Sequence, residues 1–158
     1  MELLKAHKIA TELIIEHCPD YSFKFDNAKQ RFGRCDYGKK IISISKYLTF
    51  LNDELKVVNT IKHEIAHALT KGSGHNRIWR VKALSLGCDG NRCYDSKDVE
   101  IIKGRFVYKC PACKKRIYGY RKMKKRKACS DCCRKYNNNK FSSDYEFVYL
   151  GGREENEF

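Results

Sequence analysis

Apolar residues recur at helical spacing in three stretches of the chain. Over residues 1–17, Leu3, Leu4, Ile9, Ala10, Leu13 and Ile14 form one stripe, and Pro19 marks the exit. Over residues 53–71, Val57, Val58, Ile61, Ile65, Ala68 and Leu69 share one helix face. Asn52 or Asp53 is placed to cap its start and Gly72 to end it. A third helix is expected over 76–86, offering Ile78, Trp79, Val81 and Leu84 to the core, with Gly87 as the stop. Between the first two helices, residues 21–25, 31–37 and 40–45 read as short strands separated by Asp26-Asn27 and Gly38. After the third helix comes a polar connector (89–103) with a short helix expected near Lys97. A ribbon follows over 105–136, then a polar break at Asn137-Asn138-Asn139, a closing strand over 145–150 and a flexible end. The fold class expected is α+β: helices packed on a small antiparallel sheet over residues 1–102, then a smaller module over 103–150 and a tail over 151–158.

The central helix carries chemistry on its polar side. His63-Glu64-Ile65-Ala66-His67 places two imidazoles about 40° apart around the axis, opposite the apolar stripe, so both can reach one metal ion. Glu64, one step on, is placed to take a proton from the water of that metal. Catalytic zinc usually has three protein ligands and one open position. Ser73 and Gly74 give the backbone freedom to bring His75 over as the third ligand; Asp98 and Glu100 are the alternatives.

A second metal signature lies in the ribbon. Cys110, Cys113, Cys129 and Cys132 form C-x2-C-x15-C-x2-C, the spacing of a structural zinc site with no open position. The x2 spacing favours Cys132 over Cys133. Nine cysteines, an odd number, with an amphipathic rather than signal-like start, argue against a disulfide framework. Cys18 and Cys35 are expected as free thiols, and Cys88 and Cys93 as ordinary thiols in a turn.

Charge changes the picture further. The chain carries +14, of which residues 103–135 hold +13: fourteen Lys or Arg against Asp131 alone. Lys122, Lys124, Lys125, Arg126 and Lys127 lie between the cysteine pairs, expected at a hairpin tip, with Lys114, Lys115, Arg116 and Arg121 on the strand leading to it. Tyr108, Tyr118, Tyr120 and Tyr136 alternate with them. Cations interleaved with aromatic rings suit phosphate contact and base stacking, with weak sequence preference and steep salt dependence. No apolar run is long enough to span a membrane, so no membrane partner is expected. Free and zinc-bound thiols point to a reducing compartment: bacterial or viral-host cytoplasm, or a nucleus in a eukaryote.

Together these residues resemble the SprT-like zinc metalloproteases (Spartan and its relatives). The resemblance runs from the first helix through Arg31-Phe32-Gly33-Arg34-Cys35-Asp36-Tyr37 and Ile41-Ile42-Ser43-Ile44-Ser45. It continues through the H-E-x-x-H helix and His75 to Trp79, and on to the four-cysteine ribbon. Asn76 departs from the glycine that many members carry there. The resemblance implies a zincin-like core, His63, His67 and His75 on a catalytic zinc with Glu64 as general base, and a second, structural zinc. It also implies hydrolysis of proteins bound or crosslinked to DNA, the DNA having single-stranded character. The competing readings are a nucleic-acid-binding adaptor with little turnover, and a peptidase whose ribbon recruits an acidic protein. Sequence is silent on oligomeric state.

Overall fold

In the computed structural model, residues 1–92, 99–100 and 102–152 are described. The chain divides into two compact units, Met1–Ile102 and Lys103–Phe158. The first unit begins with α1 (Leu3–His17), continues through strands β1 (Ser22–Asp26), β2 (Gly33–Asp36) and β3 (Ile41–Ser45), and ends in three helices. These are α2 (Lys46–Leu51), α3 (Glu54–Leu69) and α4 (Arg77–Ser85).

The fold class is mixed α+β, with one detail that differs from the expected sheet. β3 is central; β2 pairs with it antiparallel, but β1 pairs with it parallel, Phe23 opposite Ile42. The reason lies in the connection after β1, which crosses to the far edge before the hairpin brings β3 back between its neighbours. Asp26 organises that crossing by accepting bonds from the Ala28 N–H and the Ser43 hydroxyl, both at 2.9 Å, and by pairing with Arg31. Buried Phe32 and a 2.7 Å bond from the Ser45 N–H to the Phe32 carbonyl close it down.

Helix faces differ from the apolar stripes in instructive ways. α1 buries Ala6, Ala10 and Ile14, whereas Leu4 stands exposed. Two alanines at the contact let the helix backbone approach its neighbours closely, so small residues make this face. α3 buries Val57, Ile61 and Ile65 as expected, each contributing about 1.5–3 kcal/mol on removal from water. Asp53, not Asn52, caps α3 by accepting from the Lys56 N–H at 2.9 Å. Asn52 instead ties α2 to the later chain: its amide donates to the Leu48 and Glu100 carbonyls and its oxygen accepts from the Glu100 N–H. On α4 only Trp79 and Ala83 are buried; Ile78, Val81 and Leu84, expected in the core, lie on the surface.

The second unit holds β4 (Phe106–Lys109), β5 (Arg116–Gly119), α5 (Ser130–Tyr136), one 3-10 turn (Ser143–Tyr145) and β6 (Val148–Gly152). Its sheet is antiparallel, with β4 in the middle. The β4–β5 hairpin turns through Cys110 to Lys115, so the first cysteine pair occupies the tip expected for the basic run. Residues 122–127 lie after β5, leading to Ala128, which bridges to Glu146. The expected short helix near Lys97 falls outside the described residues. No helix among them is long and apolar enough to cross a membrane.

Candidate metal centres and cleft

Two turns in the backbone bring the three histidines together. α3 presents His63 and His67 on the side away from its buried stripe. Beyond the Thr70 cap, Gly72 and Gly74 adopt positive φ (84° and 56°), a region costly to other residues, and so swing His75 back toward α3. Asn76 then caps α4, its side chain accepting from the N–H groups of Ile78 (2.9 Å) and Trp79 (3.2 Å). Asn76 at this position therefore starts the helix at Arg77 and leaves His75 free.

The three Nε2 atoms form a triangle with sides of 3.0, 3.1 and 3.2 Å. Nitrogens on a tetrahedral zinc ion at the usual bond length are about 3.3 Å apart, so the donor set fits that metal and leaves one position open. Burial holds the imidazoles of His63 and His67 down to about 4, each reinforced by its neighbouring ring, and also lowers His75. At neutral pH all three are uncharged, with lone pairs available. Of the alternative ligands, Glu100 is held to Asn52 by its backbone and its carboxylate is not part of the histidine cluster, and Asp98 lies outside the described residues, as does Cys93.

Glu64 lies in the same open cleft of about 670 Å³, with Gly33, Cys35, Tyr37 and the three histidines among its walls. The side chain is buried, and burial pushes its carboxyl from 4.5 up to about 7; Arg31 and the Cys35 N–H act in the opposite sense. It lies directly over β2: a methyl group on Gly33 would stand 2.5 Å from Oε1. Gly33 is thus the floor on which the carboxylate rests. Cys35 and Cys18 are free thiols as expected, raised by burial to about 12 and about 11.

The four cysteines of the second unit also converge. Cys110 and Cys132 sulfurs are 3.8 Å apart, and those of Cys113 and Cys129 are 3.7 Å apart. Four thiolates on tetrahedral zinc stand about 3.8 Å apart, and the cluster fits. Cys133 is buried outside it.

The basic residues have unequal freedom. Arg126 makes a two-pronged pair with Glu146 (2.8 and 2.6 Å to Oε2), Lys115 pairs with Asp131 at 2.6 Å, and Lys114 donates to the Pro111 carbonyl. Arg116, Arg121, Lys122, Lys124, Lys125 and Lys127 are exposed. Tyr118 and Tyr120 are half-buried and Tyr108 is buried, whereas Tyr136 stands exposed. Sequence reading missed Phe141 and Tyr149, exposed rings carrying Arg126 and Lys122 over their faces. Their cations lie far off in sequence, so no local pattern marks them.

No curated protein matches the chain. The model of the SprT-like family matches residues 4–98, a span that begins one residue into α1, runs through α4, includes the three histidines and Glu64 and ends before the four cysteines. This chain belongs to the SprT-like family.

Proposed function

We propose that this protein is a DNA-dependent zinc endopeptidase that cleaves proteins bound or crosslinked to DNA. The observation that carries the proposal is a buried carboxylate beside three converging neutral imidazoles in one open cleft. His63, His67 and His75 would hold the catalytic zinc, and Cys110, Cys113, Cys129 and Cys132 a structural one. When bound, the catalytic zinc supplies Lewis acidity: it polarises the scissile carbonyl and makes its water acidic enough to attack near neutral pH.

The chain's own residues supply the rest. Glu64 takes the proton from the attacking water and later delivers it to the leaving amine. Its burial suits this shuttle, because burial raises the carboxyl while the zinc would favour the carboxylate, and the two opposing influences suit a group that must both accept and release a proton. The backbone of β2 fixes where it stands. Gly33→Ala should therefore push the carboxylate off its floor, with kcat falling more than KM rises and stability dropping by about 1–3 kcal/mol. Peptide kinetics and thermal unfolding check this; a variant equal to wild type in both would show that the contact is slack.

Substrate choice follows from location. The exposed cations of the second unit would hold nucleic acid through phosphate contacts, raising the local concentration of the proteins bound to it. The test is to cleave a basic DNA-binding protein with and without single-stranded DNA, over a range of salt, using wild type and a Lys122→Ser, Lys124→Ser, Lys125→Ser, Lys127→Ser variant. DNA should stimulate the wild type steeply at low salt and the variant little, while cleavage of a short free peptide stays the same in both. Equal stimulation of the two proteins would sink the role given to these four lysines, and none in either would sink the DNA dependence itself.

A further inference from the structure

Trp79 lies against all three imidazoles at once. Ring centroids are 4.6 Å from His63, 5.2 Å from His67 and 4.6 Å from His75; the His67 ring stacks on the indole at 27°, and the others meet it edge-on. The indole is 1 % exposed and sits in a small cluster with Ala66, Ala83 and Cys88, against which Leu86 packs. Its placement is fixed locally. The Asn76 cap that follows His75 accepts from the Trp79 N–H, so one turn of backbone sets both the third ligand and the indole. His63 and His67 come from another helix. Trp79 is therefore where the two ligand-bearing segments meet the same rigid plane.

Metal-binding histidines are ordinarily oriented by hydrogen bonds from the ring nitrogen that does not face the metal. Among the described residues, the hydrogen bonds of these three rings run only between their Nε2 atoms, and none leads from Nδ1 to an acceptor. Ring packing against Trp79 is the orienting contact that the described residues show. The indole Nε1 is itself buried with no acceptor among the described residues, which is unfavourable to the fold. A phenyl ring would avoid that cost, but it lacks the second fused ring that lets one side chain face three imidazoles.

We propose that Trp79 is the positioning residue of the three-histidine site, its indole holding the rings so that their Nε2 atoms converge before the metal arrives. The inference rests on the reading of that site as a zinc centre. The test uses the full chain with its four-cysteine zinc in place, comparing wild type with Trp79→Leu, Trp79→Phe and Leu86→Ala. The readouts are zinc affinity of the three-histidine site, by chelator competition, and the visible spectrum after cobalt replaces zinc there.

Trp79→Leu should weaken zinc about 10–100-fold and alter the cobalt bands, with Trp79→Phe intermediate. Leu86→Ala, which loosens the same cluster, should lower the unfolding temperature yet bind zinc within about twofold of wild type. Should the Leu variant fail to fold, the Phe variant decides, with an expected loss of at least about threefold. Unchanged affinity and spectrum in the Trp79 variants overturns the positioning role alone, as does an equal loss in Leu86→Ala. A wild type that takes up only the four-cysteine zinc overturns the zinc reading and the positioning role together.

Discussion

Glu64→Gln should leave both metal clusters loaded and abolish peptide hydrolysis, a loss of about 10²–10⁴-fold or more, because the amide keeps the shape but cannot accept the proton. The cleavage assay with zinc content measured on the same sample checks this. The same substitution is expected to stabilise the fold when the three-histidine site is empty. Folding raises the Glu64 carboxyl from 4.5 to about 7 by burial, so the native state favours the protonated form. Its contribution is fully present below about pH 4.5 and is lost as pH climbs through about 7, a difference of about 3 kcal/mol. Glutamine mimics the neutral acid at every pH. The gain in unfolding temperature over wild type should therefore be small at pH 4.5 and large at pH 8, and it should shrink when zinc is added, since a nearby cation favours the carboxylate. A gain independent of pH would mean that the charge is not what the burial opposes.

Cys110→Ser is expected to unfold the second unit and leave the first intact. Among its described residues, the buried side chains are Tyr108 and four cysteines, Cys110, Cys129, Cys132 and Cys133. Three of the four sulfurs in the metal cluster thus form the interior, with Tyr145 and Phe147 packed on them. Structural zinc in such small modules contributes about 10–16 kcal/mol of apparent binding energy, far more than so little apolar burial supplies. The variant should hold one zinc instead of two, lose nucleic-acid binding, and become sensitive to protease between residues 103 and 152. Cleavage of a short free peptide should persist. Two bound zinc ions and unchanged DNA binding would show that three thiolates suffice.

What the sequence made legible, and what it hid, follows the range of the interactions. The pairing of His63 with His67 depends only on helix pitch, and the four-cysteine spacing on two local turns, so both were readable. The stripe on α3 was readable for the same reason. Gly33 was not: it matters because Glu64, a distant residue in the chain, lies on it. The exposed Leu4, Ile78, Val81 and Leu84 show the converse, since spacing tells which residues share a face but not which face meets the core. α2 and α5 are short, and each begins beside a residue with another evident role: Ser45 at a strand end, and Cys129 in a metal pair. The parallel pairing of β1 likewise depends on where a six-residue crossing lands, which no strand pattern encodes. Tyr149 and Phe141 find their cations only after the second sheet has formed.

Trp79 has one more consequence. It is the one tryptophan in the chain, and it touches every ligand of the three-histidine site. Light emitted by the folded protein on excitation at the red edge of the ultraviolet absorption therefore comes from a single fluorophore at the metal's edge. Filling the site with cobalt or copper should quench that emission, whereas zinc should only shift it, and the four-cysteine cluster should contribute little. The protein carries its own optical gauge of metal occupancy at the three-histidine site, readable without a label and without a substrate.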